Sequence, residues 1–75
     1  MDFKGLRAGM TEPALSVEYA MRGSGWVGVH SLAIASQQTD VAVEFILTQM
    51  VISGIACMNR HGQYSLTPEY KATGL

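Results

Sequence analysis

Apolar residues recur at helical intervals three times along this chain, then switch to an alternating rhythm toward its C-terminal end. The first stretch is Ala14, Val17 and Met21, joined by Leu15, behind Thr11-Glu12-Pro13. Thr is a good N-cap, Glu suits the positive end of the helix dipole, and Pro is tolerated in a first turn. In Arg22-Gly23-Ser24-Gly25, Gly23 can take the left-handed conformation that closes such a helix. After a short extended Trp26-Val27, the residues Val29, Leu32, Ala33 and Ser36 predict a second short helix, capped by Gly28 or Ser31. Gln37-Gln38-Thr39-Asp40 is a polar break in which Thr39 caps a third helix and Asp40 sits in its first turn.

That third helix carries the clearest pattern. Val43, Leu47 and Met50 stand four and three residues apart with Ile46 beside them, so one stripe faces a core. Its β-branched content also allows a strand, but an uninterrupted strand of about 14 residues would be far longer than usual. Beyond Gly54, Ile55 and Cys57 share one parity, and Tyr64 and Leu66 another, across the polar tip Asn59-Arg60-His61-Gly62. This predicts a β-hairpin, with Cys57 as a small core residue and Pro68 stopping the second strand. Trp26 is expected to cover the hairpin or the first helix. Residues 1–10 show no period and are expected to form an arm of low order, 11–68 the folded domain, and 69–75 a polar tail.

Composition narrows the classes. With 75 residues, 48% of them hydrophobic, the chain can build one modest core and is not a disordered polymer. The single cysteine cannot form an internal disulfide. The apolar region from Val41 to Met58 is too interrupted by Glu44, Thr48, Gln49, Ser53 and Gly54 to span a bilayer. Together with the absence of a signal-like apolar run in the first ten residues, this predicts a soluble, cytoplasmic protein with no membrane association. Five basic residues face six acidic ones, for a net charge of −1. Nucleic-acid binders usually carry a basic excess, so this balance counts against DNA without excluding it.

The order helix, short strand, helix, turn, helix, hairpin resembles the winged helix-turn-helix superfamily. The residues that carry the likeness are Leu32-Ala33, Val43, Leu47, Met50, Gly54-Ile55 and Gly62-Gln63-Tyr64-Ser65-Leu66. Together they look like the Leu-Ala, Val-x3-Leu-x2-Leu-x3-Gly-Ile and Tyr-x-Leu run of many small bacterial and phage regulators. The resemblance covers residues 11–68 and departs at the turn, where Gln37 and Gln38 replace the usual Gly and apolar residue. It implies an α+β fold of three helices, a short strand and a C-terminal hairpin wing.

It also implies a small DNA-binding transcription regulator, dimeric, whose third helix enters the major groove. The DNA candidates are Gln37, Gln38 and Thr39 at the turn, Glu44 and Thr48 on the third helix, and Asn59, Arg60 and His61 at the wing tip. Lys4 and Arg7 would act as a basic arm. Yet the outward face of the third helix holds Val41, Glu44, Phe45 and Thr48, with no Arg, Lys or Asn. If Val41, Glu44 and Phe45 are displayed rather than buried, they suit a protein interface better than a phosphate backbone. The alternative function is therefore a protein-interaction module, an adaptor or inhibitor that does not bind DNA, with a second copy or another protein as partner.

Catalysis, metals and cofactors find little support. Cys57, His61 and the distant His30 make an incomplete metal set. No third residue orients a Cys57–His61 nucleophile pair, and Gly23, Gly25 and Gly28 lack the strand and lysine of a phosphate loop. The expectation is a non-enzyme with no cofactor and no small-molecule ligand.

Overall fold

Thr11 and Thr39 start helices in the same way, each hydroxyl accepting from the backbone N–H three residues on, at 3.3 Å from Ala14 and 3.1 Å from Ala42. In the computed structural model, which describes residues 2–75, these helices are α2 (Glu12–Met21) and α4 (Asp40–Ile52). The remaining elements are α1 (Phe3–Ala8), β1 (Val27–Gly28), α3 (Val29–Ser36), β2 (Ala56–Met58), β3 (Gln63–Leu66) and α5 (Pro68–Lys71). The fold is α+β, and it has five helical segments where the apolar spacing predicts three.

The ends of the helices follow from their residues. Gly23 has φ +74° just beyond α2, and Gly54 has φ +81° beyond α4, both in the left-handed region that favours glycine. Beyond Gly54, the Ile55 N–H returns to the Met50 carbonyl at 2.9 Å and closes α4. At the end of α3 the same conformation falls on Gln37, with φ 57° and ψ 44°, while Gln38 N–H reaches Ala33 O at 2.9 Å. A left-handed glutamine costs about 1 kcal/mol or more relative to glycine.

The strands form one antiparallel sheet in the order β1-β3-β2. Ala56 faces Leu66, Cys57 faces Ser65 and Met58 faces Tyr64, while Val27 of β1 pairs with Tyr64 from the other side. The pairing shifts the expected parity by one residue. Ala56 is buried opposite Leu66, whereas Cys57 is only half-buried, its thiol 3.6 Å from the Ser65 carbonyl. Cys57 is therefore not the small core residue that simple alternation predicts, because Ile55 lies before the strand rather than in it.

The core is built from Val17 and Met21 of α2, Leu32 and Ala33 of α3, Val43, Leu47 and Met50 of α4, and Ile55, Ala56, Tyr64, Leu66 and Tyr70. Its α4 stripe is the one predicted from spacing. Trp26 is not a cover over this core: it remains 49% exposed in the loop before β1.

Both chain ends depart from expectation. Instead of an arm without structure, residues 3–8 form a helix whose N-cap Asp2 accepts from Gly5 N–H at 3.0 Å. Instead of a polar tail, residues 68–71 form α5, capped by Thr67 and burying Tyr70. Phe3 packs edge-on against the Tyr70 ring at a centroid distance of 5.4 Å, so the two end helices hold each other.

Candidate interaction surface

Once Val43, Leu47 and Met50 point into the core, the 3.6-residue period forces the other side of α4 outward. That side carries Val41 at 80% exposure, Phe45 at 67% and Ile52 at 73%, one row at intervals of four and seven. Glu44 and Thr48 are exposed on the same face, the Thr48 hydroxyl donating back to the Glu44 carbonyl at 2.9 Å. Asp40 and Glu44 are the only charged residues of α4. The structure thus gathers Val41, Glu44, Phe45 and Thr48 on one surface and adds Ile52. Ile52 was legible as the residue seven beyond Phe45, but the expectation stopped a turn short.

The turn residues are occupied within the fold. Gln38 donates from Nε2 to the Pro13 carbonyl at 3.0 Å, which fastens the turn to the start of α2. The Thr39 hydroxyl is taken by its capping bond, and Gln37 is an exposed helix end. At the hairpin tip, Asn59 Oδ1 accepts from the N–H groups of His61 at 2.9 Å and Gln63 at 3.0 Å. Its Nδ2 donates to Gln63 Oε1 at 3.1 Å. Asn59 therefore shapes the loop, and Arg60 and His61 stand exposed on it. A hollow lined by Thr48, Val51 and Ile52 of α4 and by Met58 and Tyr64 lies between the C-terminal half of the α4 face and the strands that carry this tip.

Between α1 and α4 lies a groove of 320 Å³, with Leu6 and Met10 on one side and Phe45, Ile46 and Gln49 on the other. Phe45 belongs to both the groove and the outer row. Folding of α1 creates this groove, and residues 1–10 carry no apolar period from which it could be foreseen.

Cations are distributed differently from the sequence expectation. The Glu18 carboxylate is 1% exposed and gathers four donors. Arg22, the residue that ends α2, grips both oxygens, through Nε to Oε1 and through Nη2 to Oε2 at 2.8 Å. Arg7 Nε reaches Oε2 at 2.9 Å from α1, and the Tyr70 hydroxyl donates to it at 2.7 Å from α5. Burial alone would raise this carboxyl, but the bonds from Arg22, Tyr70 and Arg7 and the Arg22 charge outweigh it. They hold its pKa at about 2. Burial and the Glu18 carboxylate raise the Tyr70 phenol, and the same carboxylate raises Arg22 against its own partial burial.

Two of the five basic residues are thereby fixed on Glu18. Arg7 is part of a structural ion pair rather than a mobile basic arm. The remaining three, Lys4, Arg60 and Lys71, sit on α1, the hairpin tip and α5. None is on α3 or α4. Between those helices, His30 Nδ1 lies 3.1 Å from the Asp40 carboxylate, a hydrogen-bond contact between two exposed side chains.

Among the described residues, no group of three or more His, Cys, Asp or Glu is placed to hold a metal, and no helix is long and apolar enough to cross a membrane. Compared with protein-family models, curated proteins and solved structures, the chain has a match to none of them.

Proposed function

We propose that this chain is a protein-interaction module on a winged-helix scaffold, docking its partner on the outer face of α4. The element order, the antiparallel sheet and the hairpin support the scaffold. The observation that carries the function is the α4 face itself, where Val41, Phe45 and Ile52 are displayed, Asp40 and Glu44 are the only charges, and no cation stands. A helix reading DNA needs donors for base edges and cations for phosphates. An exposed apolar row on a helix is suited instead to burial against another protein.

Phe45→Arg tests this reading, because it places a cation in the middle of the face while leaving the core untouched. Tagged chain is purified from the cells that make it. The wild type retains a stoichiometric protein partner and Phe45→Arg loses it, whereas Lys71→Ala keeps it. Retention of the partner by Phe45→Arg, or absence of any stoichiometric partner on the wild type, contradicts the reading.

A DNA-binding regulator is the second reading, favoured by the exposed Arg60 and His61 at the hairpin tip. Its signature is binding to random duplex DNA at low salt that weakens with added salt and with Arg60→Ala.

A further inference from the structure

The exposed row of α4 has the spacing of a helix seam and stands between two hollows. Val41, Phe45, Thr48 and Ile52 follow one another at intervals of four, three and four, the spacing with which one helix packs along another. On one side, Phe45 borders the groove against α1. On the other, Thr48, Val51 and Ile52 border a hollow of 210 Å³ whose far wall is Met58 and Tyr64 of the sheet. Ridge and hollow thus share one face, as a surface must if it is to fit a second copy of itself about a two-fold axis.

We infer that α4 pairs antiparallel with α4 of a second copy of this chain, each Phe45 ring seated beside the hollow of the other copy. The inference rests on the proposed function and names its partner. With the two-fold axis level with residues 46 and 47, Val41 meets Ile52 of the second copy and Phe45 meets Thr48. The large ring then stands opposite a small side chain at the rim of the hollow. Charge fixes the direction. Asp40 and Glu44 both lie in the N-terminal half of α4, and a parallel pair would set each against its twin. In the antiparallel pair, at 1.5 Å per residue, the two Asp40 are about 20 Å apart along the axis and the two Glu44 about 8 Å. The helix dipoles also oppose one another. The area suffices: Val41, Phe45, Val51, Ile52 and Met58 expose roughly 500 Å² of apolar side chain on each copy, close to the apolar part of a standard half-interface of about 800 Å².

Sedimentation equilibrium of the purified chain tests the pairing. Wild type is expected at twice the chain mass of 8.1 kDa at micromolar concentrations. Phe45→Arg should raise the dimer dissociation constant more than about a hundredfold, because a central side chain counts twice in a two-fold interface. Tyr19→Arg, on the exposed side of α2, should leave it unchanged. Glu44→Gln should tighten the dimer about twofold at low salt, by removing the nearest like-charge pair. Phe45→Asp alone should be monomeric, and mixing it with Thr48→Lys should yield a heterodimer, since the antiparallel register sets those two side chains opposite each other.

A dimer that Phe45→Arg leaves intact overturns the α4 seam, and a mixture that forms no heterodimer overturns the antiparallel register. A monomeric wild type overturns the pairing altogether. If that monomer still holds a different cellular protein through Phe45, the proposed function stands without the second copy. If it holds none, both fail. Where the pairing holds, the stoichiometric partner recovered on tagged wild type is the cell's own untagged copy.

Discussion

The cluster around Glu18 and the outer face of α4 use side chains in opposite ways. Around Glu18, charged and polar groups are drawn inward: a buried carboxylate meets Arg7, Arg22 and Tyr70, joining α1, α2 and α5. On α4, large apolar groups remain outside, with Val41, Phe45 and Ile52 all more than two-thirds in solvent. The first arrangement satisfies itself; among the described residues no buried side-chain nitrogen or oxygen lacks a partner. The second leaves most of its apolar side-chain surface in solvent. The comparison separates a part of the molecule whose polar groups are satisfied internally from a part whose apolar side chains are left to solvent. It also removes two cations from any account based on phosphate contact.

Disrupting the Glu18 cluster has the largest expected effect. Glu18→Ala leaves two guanidinium groups without their anion and the Tyr70 hydroxyl without its acceptor, and is expected to cost about 3 kcal/mol. Urea unfolding should show a lower midpoint with little change in slope.

Acid should act on the same cluster. Glu18 titrates at about 2 in the fold against an ordinary 4.5, so the folded state favours its ionised form. The corresponding stability, roughly 2 to 3 kcal/mol once solvation of the two arginines is allowed for, is fully present above the ordinary value. It is lost as pH falls from about 4.5 toward about 2. Wild type should therefore lose more stability across that window than Glu18→Gln, measured by thermal unfolding at stepped pH.

Tyr70→Phe is milder. It removes one hydrogen bond to a charged acceptor and keeps the ring against Phe3, for an expected loss of about 1.5 kcal/mol. A loss as large as that of Glu18→Ala would mean that Tyr70, rather than the arginines, dominates the cluster.

The same two regions show what sequence could reveal. The α4 stripe was readable because Val43, Leu47 and Met50 repeat over a 13-residue helix, and its outward face follows from the same geometry. The hairpin and its tip were readable from the change of rhythm at Gly54 and the polar Asn59-Arg60-His61-Gly62 run. The Glu18 cluster was not, since Arg7 and Tyr70 lie 11 and 52 residues from Glu18 and no local pattern joins them.

The end helices were hidden for a different reason. With six and four residues, α1 and α5 are too short for a helical period to show. Their caps were nonetheless present: Asp2 three residues before Gly5, and Thr67-Pro68-Glu69 using the same residue types as Thr11-Glu12-Pro13. The groove depended on α1 and was lost with it. Cys57 was misplaced because a strand of three residues gives alternation too little length to set its own register.

Photo-crosslinking from position 45 tests the central claim most directly. A benzoylphenylalanine replaces Phe45 in one version of the chain and the still more exposed aromatic Tyr19 of α2 in another, and each is irradiated in the cells that make the protein. The account predicts a discrete protein adduct from position 45 that is absent from position 19. A DNA adduct from position 45, the same adducts from both positions, or none from position 45 would contradict it.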